Sequence, residues 1–129
     1  IDYGGEEAEL LGRGGTGTVR GFSRHRLVTD ALAAPGEHDL TASVNVTAIR
    51  RAAEGAGLTL AGMTTQREAL IGLGVREAYG RPTDPLDQLR AASKRSAIDV
   101  LLEPNGLGAY VVLCFAKDAP ADGLRFLQR

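Results

Sequence analysis

The run Tyr110-Val111-Val112-Leu113-Cys114-Phe115 constrains the fold of this chain more than any other stretch. A strand with one wet face alternates apolar and polar side chains. A strand that is apolar at every position is covered on both faces and lies inside its sheet. Such a strand needs neighbours on either side and helices above and below. The rest of the sequence offers two further strand patterns, Ile1–Gly4 and Leu58–Met63, and three helix patterns. Three strands and three helices supply only part of that cover. The sheet is therefore expected to continue through strands ahead of Ile1, and residues 1–129 are expected to form a single partial domain.

The helices announce themselves by their ends. Asn45 can accept a free backbone N–H of a first helical turn. Val46, Ile49, Ala52, Ala53 and Ala56 follow on one face, and Gly57 suits the left-handed residue that closes a helix. Thr65-Gln66-Arg67-Glu68 is a capping-box pattern ahead of Ala69, Leu70 and Leu73, with Gly74 as the stop. Asp84-Pro85-Leu86-Asp87 opens the longest helix with a cap, a proline at the first position and a carboxylate at the positive end. Its expected apolar face is Leu86, Leu89, Ala92, Ala97, Val100 and Leu101, and Pro104-Asn105-Gly106 ends it. Glu6 to Leu11 can make one further helical turn. Between Thr18 and Leu40 no period of 3.6 or 2 is sustained, so this stretch reads as a long irregular excursion, a kind of loop that is often functional.

Composition narrows the function classes. A formal net charge of −1 gives no bulk attraction to nucleic acid or an acidic membrane. Cys114 is the single cysteine, so no internal disulfide forms, in keeping with a reducing, cytoplasmic setting. No stretch approaches 18 apolar residues, so no membrane span is expected.

Most local motifs fail on inspection. The glycine run Gly12-Arg13-Gly14-Gly15-Thr16-Gly17 is followed by no lysine and opens no good helix, so a mobile turn outweighs a phosphate cradle. Arg20, Arg24, His25 and Arg26 surround Phe22, but four basic residues balanced by carboxylates read as a solvated loop before a nucleic-acid contact. His25, His38 and Cys114 lack the spacing of metal ligands, and His38 reads as an ordinary exposed histidine. Cys114 reads as an inert core thiol. Asp2 and Tyr3 stand out by position. They sit at the carboxyl end of a strand, where ligands bind in open α/β sheets. Asp2 as a simple cap of the following turn is an equally good reading.

Three segments carry a family resemblance: Ile1-Asp2-Tyr3-Gly4; Gly17-Thr18-Val19-Arg20-Gly21-Phe22-Ser23-Arg24-His25; and Pro35-Gly36-Glu37-His38-Asp39-Leu40-Thr41-Ala42. In that order they resemble the MidA family, which includes the mitochondrial complex I assembly methyltransferase. Thr65-Gln66, Leu70 and Gly74-Val75 resemble its next signature. The match spans residues 1–75, and 76–129 agree in general layout only. Val44-Asn45-Val46 stands where the family tends to have Val-Asp-Phe, and Ala69 where a Phe is usual.

The resemblance implies an α/β fold, the C-terminal part of a Rossmann-like class I methyltransferase sheet. Ile1–Gly4, Leu58–Met63 and Ala109–Lys117 would be its fifth, sixth and seventh strands, the seventh inserted antiparallel between the other two. It implies S-adenosylmethionine as cofactor, bound on a glycine turn upstream of this chain. It also implies an arginine side chain of a protein partner as methyl acceptor. Asp2 and Asp39 are the carboxylates expected to hold that guanidinium, with Tyr3, His25 and Thr41 lining the pocket. A non-catalytic assembly or interaction module on the same scaffold is the competing reading, and an exposed sheet edge near Ile1 admits a homodimer.

Overall fold

The computed structural model describes residues 1–12, 17–77 and 84–127. They divide into two compact units. The first comprises Ile1–Tyr3 and Ala52–Arg129, the second Gly4–Arg51.

The first unit is built on β6 (Thr59–Thr65) and β7 (Val111–Ala116), paired antiparallel from Thr59 opposite Ala116 to Thr65 opposite Val111. The other edge of β7 is engaged as well. Asp2 forms an isolated antiparallel bridge with Val111, its N–H donating to Val111 O at 3.1 Å and its carbonyl accepting from Val111 N at 2.8 Å. At Val111 the apolar run therefore lies between residue 2 and β6, antiparallel to both, but the expected strand Ile1–Gly4 is reduced to this one bridge and the β6–β7 sheet has two strands. Its cover is thinner than predicted: Val112 is buried, whereas Val111, Leu113, Cys114, Phe115 and Ala116 are half-buried. Cys114 is accordingly not a fully buried core thiol.

β6 passes straight into α3 (Gln66–Gly72) without a linker. Thr65 ends the strand and caps the helix: its hydroxyl accepts from Glu68 N at 3.2 Å, and the Glu68 carboxylate accepts from Thr65 N at 3.4 Å. These two bonds satisfy two of the donors that a helix start leaves free. α4 (Pro85–Leu101) starts as its sequence demands, with Asp84 Oδ1 accepting from Asp87 N at 2.8 Å. Its buried side differs from the predicted one. Ile98 and the following Leu102 are buried, whereas Leu86, Leu89, Ala92, Ala97 and Val100 are exposed. Period alone cannot say which of two apolar stripes meets the core, and here Ile98 and Leu102 do. The predicted stripe reaches water, with Leu89 71% exposed.

The second unit overturns the expected irregular excursion. β2 (Val19–Ser23) pairs antiparallel with both β3 (Arg26–Val28) and β4 (Asp39–Ala42). The strands are three to five residues long and largely exposed, so neither burial nor alternation marked them in the sequence. β1 (Gly4–Gly5) runs parallel to β5 (Val44–Asn45). α1 (Glu7–Leu11) follows β1, and α2 (Val46–Gly55) follows β5. Asn45 caps α2 as expected, its Oδ1 accepting from Ala48 N at 2.9 Å. Gly57 closes the segment after α2 with φ of +78°, a conformation that costs side chains bearing a Cβ. Of the predicted α2 face, Val46 is buried, but Ile49, Ala52 and Ala56 are exposed. The Thr47 hydroxyl accepts from Glu7 N at 3.0 Å and donates to Glu6, while Arg50 and Arg51 pair with Glu6 and Glu7 at 3.4 and 3.2 Å.

One close approach fixes the path from α4 into β7. Gly108, in a 3-10 turn over Leu107–Ala109, is buried. A Cβ there would lie 2.7 Å from the Glu103 carbonyl oxygen and 2.7 Å from the Leu102 carbonyl carbon. Backbone cannot yield as a side chain can. Gly108→Ala is expected to cost about 1–3 kcal/mol of stability, read as a lower midpoint in chemical denaturation. An unchanged midpoint would show that the turn adapts without strain.

Candidate functional site

The carboxyl edge of the first unit's sheet is defined by one row, Asp2–Val111–Thr65. Residues 1–3 and β6 both run antiparallel to β7, so they are parallel to each other and end at this edge. Open α/β sheets bind ligands at this end. The Asp2 carboxylate accepts from Tyr3 N at 2.8 Å, so it does cap its own turn. The Tyr3 ring packs on Tyr110, centroids 5.7 Å apart and tilted by 57°. Offset and tilted aromatic pairs of this kind are favourable beyond the area they bury.

Tyr110 also lines an open cavity of about 560 Å³. Its other walls include Asp99 and Val100 from the last turn of α4, then Glu103, Asn105 and Leu107 from the connection to β7. The volume is in the range of small-ligand sites, which mix an apolar lining with a few polar groups. None of these wall residues was a site candidate in the sequence. A signal was present: Asp99 and Glu103 lie four apart at the negative end of a helix, where carboxylates are disfavoured. A second, smaller hollow of about 240 Å³ is lined almost wholly by apolar groups, among them Leu70, Val112 and Phe126.

Asp2 and Tyr3 belong to the first unit; His25, Asp39 and Thr41 belong to the second. Asp39 and Thr41 alternate along β4 and share a face, opposite Phe22 and Arg20 of β2. Asp39 is exposed and Thr41 half-buried. His25 sits at the tip of the β2–β3 hairpin, exposed, beside Arg24. Both tip residues have positive φ, 49° for Arg24 and 63° for His25. A two-residue hairpin loop needs that geometry, but Asn-Gly adopts it far more readily. His38 departs from its reading as an exposed histidine. It is half-buried, and its Nδ1 is shut off from water without a hydrogen-bond partner among the described residues. Of the glycine run at 12–17, positions 13–16 lie outside the described residues. Among the described residues no three His, Cys, Asp or Glu side chains come together as metal ligands, and no helix is long and apolar enough to cross a membrane.

Residues 1–64 match the profile of a family described as "Putative S-adenosyl-L-methionine-dependent methyltransferase". A solved COG1565 superfamily protein from Burkholderia thailandensis is 31% identical, with a TM-score of 0.83, covering 99% of this chain and 34% of its own. A second structure from that organism, described as a "COG1565 superfamily member and likely methyl transferase" bound to S-adenosyl-homocysteine, is 31% identical with a TM-score of 0.76. It covers 90% of this chain and 30% of its own. This chain thus spans about a third of the length of these structures. No curated protein matches it. The expected cofactor, S-adenosylmethionine, agrees with the description of the matching family and with the ligand of the second structure.

The strained tip allows a direct check on the second unit. Replacing Arg24 and His25 by Asn and Gly is expected to raise stability by about 1 kcal/mol, measured as a shift of the denaturation midpoint. No gain would mean that these two side chains make good the backbone cost through contacts of their own.

Proposed function

We propose that this chain is the C-terminal part of a MidA-type, S-adenosylmethionine-dependent methyltransferase that modifies an arginine side chain of a protein partner. It depends on an N-terminal part for activity. The observation that carries the reading is the placement of β7, antiparallel between residue 2 and β6. It supports the Rossmann-like class I arrangement in which the seventh strand enters between the fifth and the sixth.

The reading places the cofactor's glycine turn upstream of this chain. Within the second unit, Gly4 and Gly5 pair with β5 and lead into a five-residue helix headed by Glu6 and Glu7, whose carboxylates pair with Arg50 and Arg51. Bound elsewhere, S-adenosylmethionine supplies an electrophilic methyl group, and transfer is an in-line displacement whose rate rests on alignment. What this chain contributes is orientation of the acceptor. A guanidinium is held best by carboxylates that accept two parallel N–H bonds. Asp2 is the candidate in the first unit and Asp39 in the second, with Tyr3, His25 and Thr41 as neighbouring groups to be tested with them.

Two measurements follow from this reading. Calorimetric titration of this chain with S-adenosylmethionine is expected to give no binding heat; clear binding would place the cofactor site within residues 1–129. In a protein that includes the upstream part, Asp2→Ala and Asp39→Ala are each expected to lower methyl transfer about tenfold or more, with cofactor affinity nearly unchanged. Unchanged turnover in both variants would remove these carboxylates from the acceptor site.

A further inference from the structure

We infer that Tyr110 is a positioning residue of the acceptor site: its ring orients Tyr3 and, through it, the carboxylate of Asp2. Its part in methyl transfer rests on the proposed function; the support it gives Tyr3 stands on the packing of the first unit alone.

The backbone of Tyr110 is tied at both ends. Its N–H donates to Leu107 O at 3.1 Å, and its carbonyl accepts from Gln66 N at 2.8 Å. The next residue, Val111, exchanges two bonds with Asp2 and lies opposite Thr65 of β6. Tyr110 therefore stands where the 3-10 turn, the start of α3 and residue 2 come together. Two residues earlier, Gly108 is closed in by the backbone of Leu102 and Glu103, which leaves little slack in the approach to β7. The half-buried Tyr110 ring projects from that fixed backbone.

The Asp2–Tyr3 turn has fewer ties of its own. Both residues are exposed. Asp2 is held by its backbone exchange with Val111, and its carboxylate accepts from Tyr3 N at 2.8 Å. That bond couples the two residues, because a rotation of the Tyr3 backbone moves the N–H on which the carboxylate is aligned. The Tyr3 ring has one aromatic partner among the described residues, Tyr110. An exposed side chain without a partner samples several rotamers. An aromatic pair of this geometry favours one of them by about threefold to tenfold. In-line transfer depends on the aligned fraction, so an averaged Tyr3 lowers the rate by a similar factor. The support comes from the Tyr110 ring, and the Tyr110 hydroxyl has no part in it.

Tyr110→Leu, Tyr110→Phe, Tyr3→Leu and the double variant Tyr110→Leu with Tyr3→Leu form the test. In the full chain, NMR couplings between Hα and Hβ of Tyr3 are expected to show one rotamer in the native protein and in Tyr110→Phe, and averaging in Tyr110→Leu. Contacts between the two rings in the native NOE spectrum give the same reading without a substitution. Absence of those contacts, or a single Tyr3 rotamer in Tyr110→Leu, would overturn the inference. Turnover is read in the protein with its upstream part, with tritiated S-adenosylmethionine and poly-L-arginine as the probe. Tyr110→Leu and Tyr3→Leu are each expected to lower kcat/KM for poly-L-arginine about threefold to tenfold. Tyr110→Phe is expected to keep the native value, and the double variant to lose no more than either single one. Additive losses, or a Tyr110→Phe as impaired as Tyr110→Leu, would overturn the positioning role. A merely structural defect weakens S-adenosylmethionine binding as well, whereas a positioning defect leaves that affinity unchanged. Failure of the enzymatic reading looks different: the native protein transfers no methyl group to poly-L-arginine, while Tyr110→Leu still frees the Tyr3 ring. That result removes Tyr110 from catalysis and leaves it a support of the turn.

Discussion

The first unit depends on the two hydrogen-bonded edges of β7. Backbone groups in a partly covered strand must be paired, because each buried group left alone costs more than a typical bond gains. β6 satisfies one edge along its length, and the exchange of two bonds with Asp2 satisfies the start of the other. That second contact is a single residue pair, yet it sets direction. It makes residues 1–3 and β6 parallel, and so creates a common carboxyl edge. The Tyr3–Tyr110 stack, the last turn of α4 and the cavity beside it are all positioned from that edge.

What could be read from the sequence divides along a physical line. Features fixed by local chemistry were legible: Asn45, Thr65 and Asp84 as caps, Gly57 and Gly74 as stops, and Val111–Ala116 as a strand with a neighbour on each side. Features fixed by distant packing were not. The stripe led by Leu86 and Leu89 has the right period, but Ile98 and Leu102 face the core. The three-stranded sheet of β2, β3 and β4 was illegible because its side chains are mostly wet, so no hydrophobic rhythm announces them. Its turn was hidden as well, since Arg24 and His25 occupy positions where glycine or asparagine is the usual signal.

The candidate site shows the same division. Asp2 and Tyr3 could be picked out because Ile1–Gly4 reads as the end of a strand, although the structure keeps only the Asp2–Val111 bridge of it. Asp39, Thr41 and His25 came from resemblance, and the structure gives two of them a shared face of β4 and the third a hairpin tip. Asp99, Glu103 and Tyr110 are distant from Asp2 in sequence and needed the topology of β7 to bring them to one edge. Only the misplaced charge at the end of α4 hinted at them.

Thr65 has a double duty with a consequence for how the first unit assembles. It is the last residue of β6, opposite Val111, and also the N-cap of α3, with nothing between strand and helix to absorb error. A one-residue slip of β6 along β7 would turn every β6 side chain to the other face and would also carry Thr65 and Glu68 away from their seat beside Tyr110, whose carbonyl accepts from Gln66 N at 2.8 Å. A misaligned β6–β7 pair therefore loses the Gln66–Tyr110 bond that seats the start of α3 along with the register. Register and the start of α3 are fixed at one residue, and an error at Thr65 is felt in both elements.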